Sequence, residues 1–455
     1  MVEPDCTPNA QRSNPLGFSR TYGTVSFASP ASPASRGREA VRKPRRVVIT
    51  GLGVVAPNGI GKDAFWQALV AGKSGIDYIT LFDPSPYPCQ VAAEVRDFQP
   101  LDFMTRKNAR ELWRFSQFAL ASAQMAIDDA KLGITDRNCQ RVGACFGTCV
   151  SGVERVYDSF EIVRRSGFSD LNPLTSFQYS THAPVAHVAI ELGIKGPVMT
   201  LASGCSTGLD VIYWAYEQIQ AGNVNYVVAG STEAPLTPMV YSTWAALGIL
   251  AGNGGVPARA SRPYDLTRDG LVLGEGAGAV VVEDMESALE RGALIYAEVT
   301  GFGSASEALN LRKGDVTGDG LARAIRQALV SAGIQSDSID YINSHGNSLP
   351  ENDLAETNAY KNAFGVRAYS IPVSSIKSMI GQPIAASGIL QGIATALTVA
   401  TDVIPPTINY ITPDPQCDLD YVPNRSRVAR VKRGLINAHA MGGTHSVLIV
   451  DKVST

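Results

Sequence analysis

The sequence predicts an α/β fold in two similar halves, residues 46–296 and 297–455, each a layered unit of sheet and helix. Three observations carry this prediction. From Asn108 to Leu132, the residues Phe115, Phe118, Ala119, Ser122, Ala126 and Ala130 keep helical spacing, Gly133 supplies a stop, and a strand-like run follows at Arg141–Phe146. The same order returns later, where Ala324–Ala332 reads as a helix closed by Gly333 and Ile339–Asn343 as a strand entering a polar loop. The apolar run Arg46–Val55 is echoed by Ala297–Gly303.

Residues 1–45 are rich in Ser, Pro, Ala and Arg and show no sustained apolar period, so they are expected to be a disordered extension. The basic, acid-poor stretch Gln11–Arg38 also has the character of a transit peptide, and no apolar signal core precedes it. A cytoplasmic location is expected, or an organellar one if the extension is a transit peptide. Arg46–Val55 reads as a buried strand running into a glycine loop. Gly51 and Gly53 suggest a dinucleotide fingerprint, but the third glycine and the following helix are missing.

Val198–Leu201 is a short apolar run that meets a small-residue turn around Cys205. Leu209, Ile212, Tyr216 and Ile219 then fall on one helical face, so Cys205 sits where strand becomes helix. Unpaired N–H groups and the helix dipole there favour a nucleophilic thiolate. Pro383–Thr401 is uncharged and long, but Ser387, Gly388, Gln391, Gly392 and Thr395 suit a buried helix better than a lipid-facing one. No membrane span is expected.

The 455 residues are 45% hydrophobic and 18% charged, enough for a large buried core. A net charge of −3 provides no basic field for nucleic acid. Seven cysteines without regular spacing argue against a disulfide framework. Cys145 and Cys149 have no second ligand pair, so no metal is expected.

Cys205 is followed by the loop Ser344-His345-Gly346-Asn347-Ser348 and then by Lys377-Ser378-Met379-Ile380-Gly381-Gln382. From about Arg46 onward the chain resembles the β-ketoacyl synthases of the thiolase superfamily. That family carries a nucleophilic Cys, a His in an HGTST-like loop and a second His closing a KSMTGH-like loop. Ala260–Asp265 and Arg268–Gly278 resemble a further signature of the family, one that supports the site.

The resemblance implies a five-layered, internally duplicated α-β-α-β-α fold. It assigns Cys205 as nucleophile and His345 to decarboxylation and enolate stabilisation, with Lys377 and Glu356 as supporting residues. Met441, in Asn437–His445, takes the place of a family Phe that donates a backbone N–H to the oxyanion hole and gates access. Trp244 matches a position bordering the acyl channel. His182 and His187 fall in a family helix near a dimer interface and are expected to be structural.

Gln382 stands where the second His belongs, and an amide cannot titrate in the useful range. His439 is the candidate replacement proton carrier. The expected function is decarboxylative condensation of an acyl thioester with malonyl-carrier protein, in fatty acid or polyketide synthesis, by a Cys-His-Gln site. The alternatives are an acyltransferase that loads Cys205 without elongating, or a chain-length-factor-like subunit of a heterodimer. The resemblance implies acyl carrier protein as partner, phosphopantetheine delivered on that carrier with no bound cofactor, and a homodimer or a heterodimer with a paralogous ketosynthase.

Overall fold

A computed structural model describes residues 44–252 and 255–453, so the expected disordered extension lies outside the described residues except for its last two. The layers of the first half are built from β1 (Val47–Ala56), α1 (Arg106–Glu111), α2 (Arg114–Ala130), β2 (Val142–Gly147), α3 (Ala183–Leu192), β3 (Val198–Leu201), α4 (Thr207–Gln220), β4 (Tyr226–Glu233), α5 (Pro238–Ala246) and β5 (Gly276–Asp284). Those of the second half are β6 (Ala297–Ser306), α6 (Asp319–Ala332), β7 (Tyr341–Asn343), α7 (Pro350–Phe364), β8 (Val373–Ser374), α8 (Ala386–Thr401), β9 (Arg433–Ala440) and β10 (Thr444–Asp451).

The strand order is β3-β2-β4-β5-β1 in the first half and β8-β7-β9-β10-β6 in the second. Both halves therefore read third, second, fourth, fifth, first. The directions match as well: β2 runs parallel to β3 and β4, as β7 does to β8 and β9, and the remaining neighbours within each half are antiparallel. Val47–Ile49 pairs with Ala297–Val299 and joins the two first strands. Helices α4 and α8 pack on each other and touch strands of both halves, so they form the middle layer. Helices α2 and α3 cover one outer face, and α6 and α7 the other. This is the duplicated five-layer arrangement that the resemblance implies.

Two local expectations are corrected. The first strand does not run into a glycine loop. It continues through Gly51 and Gly53 to Ala56, because a Cβ at either glycine would strike the backbone of α2 at Ala126 or Ser122. Gly301 and Gly303 of β6 face α6 at Ala328 and Ala324 in the same way.

The helix expected over Asn108–Leu132 is two helices, α1 and α2, broken at Leu112 and Trp113. The Gln117 amide donates to the carbonyls of Ala109 and Leu112 at 2.9 and 3.0 Å, which satisfies acceptors that a continuous helix would have bonded. The left-handed stop falls on Lys131, φ 50°, ahead of Gly133. The uncharged stretch after Pro383 becomes α8, buried along nearly its whole length. Among the described residues no helix is long and apolar enough to cross a membrane.

Candidate active site

Cys205 lies in a single tight turn, Gly204–Ser206, between β3 and α4. Gly204, at φ 65°, presses against Ala440 at the end of β9, where a Cβ would come within 2.8 Å of the Ala440 Cβ. The Thr207 hydroxyl donates to the Gly204 carbonyl at 2.7 Å and accepts the Ser203 N–H at 2.9 Å, which holds the turn from inside. Cys205 is buried, and its sulfur accepts a hydrogen bond from Gln382 Nε2 at 3.0 Å.

The protonation state differs from the expectation drawn from the helix N-terminus. Burial pushes the Cys205 thiol up to about 11, and the opposing pull of Lys377 and of the Gln382 amide does not overcome it. This balance favours the thiol form of Cys205.

His345 leaves the end of β7 in a loop gathered around one carboxylate. Glu356 Oε1 accepts the His345 N–H at 2.6 Å, the Tyr360 hydroxyl at 2.9 Å and the Asn437 amide at 2.6 Å, while Oε2 accepts the Gly346 N–H and the Tyr264 hydroxyl, each at 2.8 Å. Lys377 Nζ donates to the His345 carbonyl at 2.7 Å and to Gln391 Oε1 at 2.9 Å. Burial lowers the Lys377 pKa to about 8, with Glu356 and Cys205 opposing.

The His345 ring is buried, and its pKa falls well below the usual imidazole value through desolvation, with Lys377 adding to the shift. Its Nδ1 accepts the backbone N–H of His439 at 3.2 Å. A neutral ring that accepts at Nδ1 carries its proton on Nε2. Asn347 stands beside that nitrogen, its Nδ2 3.3 Å from Nε2.

Cys205, Trp244, His345, Gln382, His439 and Met441 line one cavity of about 80 Å³. Trp244, on α5, is buried and forms part of its apolar wall with Ile249, Leu271 and Leu349. Met441 is exposed, in the turn between β9 and β10. Lys377 and Glu356 stand behind the His345 loop and do not line the cavity.

His182 and His187 lie elsewhere, near Thr200 and Gln178 respectively. His439 meets His345 through its backbone, and burial together with the neighbouring His445 pushes its ring down to about 3, against the pull of Glu307.

Between the halves, Ala260–Gly278 braces the site. The Ser261 hydroxyl donates to the Lys377 carbonyl at 3.0 Å, the Tyr264 N–H to Asp353 at 2.8 Å, and Arg268 Nη1 to Asp414 at 2.6 Å. The Gln382 backbone pairs with the same segment, donating to the Val272 carbonyl at 2.7 Å and accepting from Gly274 at 3.1 Å.

Sequence reasoning missed two organisers. Gln391 of α8 joins Lys377 to the carbonyls of Ser344 and Asn437. Glu233, at the end of β4, accepts from the N–H groups of Cys149 and Ser151 at 3.0 and 2.8 Å and from the Thr148 hydroxyl at 2.9 Å. A lone acid closing an apolar strand run is the signal that would have flagged Glu233.

Comparison with known proteins shows the family. Residues 44–288 match the family model for the β-ketoacyl synthase N-terminal domain, and residues 296–411 the model for its C-terminal domain. The chain is 40% identical over 408 residues to 3-oxoacyl-[acyl-carrier-protein] synthase 2 of Synechocystis sp., covering 90% of this chain and 98% of the relative. It is 40% identical over 415 residues to the tetracenomycin polyketide synthase ketoacyl synthase alpha subunit of Streptomyces glaucescens, covering 90% and 97%. Among solved structures, it is similar to a type II polyketide acyl-carrier protein in complex with its ketosynthase bound to the hexaketide, with a TM-score of 0.83, 33% identity and coverage of 90% and 100%. The ishigamide ketosynthase/chain length factor matches with a TM-score of 0.84, 32% identity and the same coverage.

Proposed function

Because this chain belongs to the β-ketoacyl synthase family, we propose that it condenses a Cys205-bound acyl group with a malonyl thioester on a carrier protein through a Cys205–His345–Gln382 site. One observation carries this reading: the Gln382 amide reaches the Cys205 sulfur at 3.0 Å in the cavity that His345 also lines.

In the first half-reaction the Cys205 sulfur attacks the carbonyl of an acyl thioester. The tetrahedral oxyanion is held by the N–H groups of Cys205 and Met441, and the thiol proton leaves with the departing phosphopantetheine thiol. The second half-reaction begins when the malonyl thioester loses carbon dioxide. The enolate oxygen accepts a hydrogen bond from His345 Nε2–H, a role that suits a buried neutral imidazole. The enolate carbon then attacks the acyl–Cys205 carbonyl and expels the sulfur as thiolate, which takes one proton from water to regenerate the resting thiol.

Gln382 works by hydrogen bonding alone. Its Oε1 is buried without a partner, so rotation of the amide offers an acceptor to the resting S–H and a donor to the expelled thiolate. The phosphopantetheine arm arrives on the carrier, and no bound cofactor takes part. The carrier protein is the proposed partner, and the second subunit is another copy or a paralogous ketosynthase.

A second reading, acylation without elongation, draws on the inability of Gln382 to carry a proton. Intact-mass measurement separates the two. The protein is mixed with acyl-carrier protein and then with malonyl-carrier protein, using Cys205→Ala as control. The expected result is an acyl adduct on Cys205 that is consumed as β-ketoacyl product appears. An adduct that survives malonyl addition assigns the chain to acyl transfer, and no adduct at all would sink both readings.

A further inference from the structure

Three side chains that the condensation chemistry leaves unused as acids or bases meet beside the cavity. His439 on β9 and His445 on β10 are directly opposed across an antiparallel pair, so both leave the sheet on one face. On the other side of β10, His445 faces Ala305 of β6. Glu307, two residues beyond Ala305, returns to the same face by the strand period of two.

The distances agree with this placement. The two imidazole rings have centroids 4.6 Å apart, and His445 Nε2 lies 2.8 Å from Glu307 Oε1. One donor atom from each of the three side chains can be taken so that all lie within 4.8 Å of one another. Metal–nitrogen and metal–oxygen bonds near 2.1 Å in a tetrahedral set put ligand atoms about 3.4 Å apart, so the widest pair must close by at most about 1.4 Å to share one ion.

The surroundings are those of a built site. Glu307 Oε2 accepts the Asp315 N–H at 2.8 Å, which fixes the carboxylate as outer-shell partners fix metal ligands. His445 is buried, with Nε2 turned toward Glu307 and Nδ1, on the opposite side of the ring, without a partner. Glycines wall the donors: a Cβ at Gly320 would come within 3.1 Å of His445 Nε2, one at Gly443 within 2.8 Å of Glu307 Oε2, and one at Gly314 within 3.6 Å of His439 Cε1.

The geometry points to a mononuclear divalent-cation site formed by Glu307, His439 and His445. Two imidazoles and one carboxylate suit zinc and its late first-row neighbours, whereas magnesium and calcium prefer all-oxygen sets. Three protein ligands leave a position free. Since His439 also lines the cavity that holds Cys205 and His345, that position opens toward the cavity, where a water or a substrate oxygen can occupy it. Ligand spacing along the chain gives no sign of this site, because its donors are joined only by strand pairing.

The test reads the cation itself, so its outcome is independent of whether Gln382 permits condensation. Untagged Cys205→Ser protein, which removes the cavity thiol as a competing ligand, is stripped with chelator and titrated with Co²⁺, and then Zn²⁺ is added in competition. One equivalent of Co²⁺ is expected to give visible ligand-field bands that Zn²⁺ abolishes. In Glu307→Gln and His439→Phe, affinity should fall by at least about 100-fold, the upper end of what losing even an outer-shell partner costs. His439→Phe keeps a ring of similar shape in the strand, and thermal melts of both variants check that they fold. Zn²⁺ should raise the melting temperature of the parent and leave that of the variants unmoved. No one-equivalent binding by the parent at millimolar Co²⁺, or equal binding by parent and variants, would overturn the proposal.

Discussion

The chemistry of single residues here is decided by burial more than by charge. Cys205 stands at the head of a helix with a lysine behind the neighbouring loop, both of which favour thiolate, yet desolvation raises its pKa to about 11. Iodoacetamide modification of Cys205, followed by peptide mass mapping, should therefore accelerate about tenfold per pH unit from pH 7 to 9 without a plateau, since only the thiolate reacts. A plateau below pH 8 would mean that the pull of Lys377 and of the Gln382 amide outweighs burial. Linkage follows the same sign. A folded-state pKa raised above the unfolded value of about 8.5 contributes stability that is complete below that pH and is lost as pH rises through about 11. Glu356 shows how a buried side chain is satisfied: five donors converge on its two oxygens.

At the scale of elements, short helices and strand ends aim the functional groups. Helix α5 begins at Pro238 behind a Thr237 cap and buries Val240, Tyr241 and Trp244 on one side. The Tyr241 hydroxyl donates to the carbonyls of Cys89 and Val91 at 3.2 Å, which pins the helix so that Trp244 closes one wall of the cavity. Under the proposed function, an indole at that wall is expected to limit the length of acyl chain that fits. Trp244→Ala should raise acylation by longer acyl groups relative to shorter ones by at least about tenfold, on the scale of a few methylenes admitted to an apolar pocket. Adduct masses across a series of acyl-carrier proteins provide the measurement, and an unchanged profile would remove Trp244 from the channel.

For the whole molecule, duplication explains how the site is assembled. The chain leaves the third strand of one half through the Cys205 turn into α4. It leaves the third strand of the other through the Lys377–Gln382 loop into α8. Cys205 and Gln382 thus occupy equivalent places in the two repeats, and they meet because α4 and α8 cross closely at Gly208 and Gly388. A Cβ on Gly208 would strike the backbone of Gly388 and Ile389, and one on Gly388 would lie 2.8 Å from Leu209 N. Backbone cannot yield as a side chain does, so Gly208→Ala is expected to cost about 3 kcal/mol, at the upper end for overpacking. A urea midpoint equal to that of the parent would show that the helices can separate without loss.

Local pattern was enough for much of this. Helical spacing set out the buried face of α2, the small residues after Pro383 marked a buried helix, and the order of Cys205, the His345 loop and the Lys377–Gln382 loop identified three walls of one cavity. These are properties of neighbours along the chain, where period and residue type act directly. Other features were invisible in one dimension. Gly51 and Gly53 looked like a loop because their reason for being glycine is a helix some seventy residues away. The thiol of Cys205 looked activated because its burial depends on both halves closing over it. Glu307, His439 and His445 lay unconnected until β6, β9 and β10 paired. Period and residue type along the chain carry the main helices and the order of Cys205, His345 and Gln382, while burial and contacts come from the fold, because desolvation and cross-strand distance depend on what the rest of the chain brings alongside.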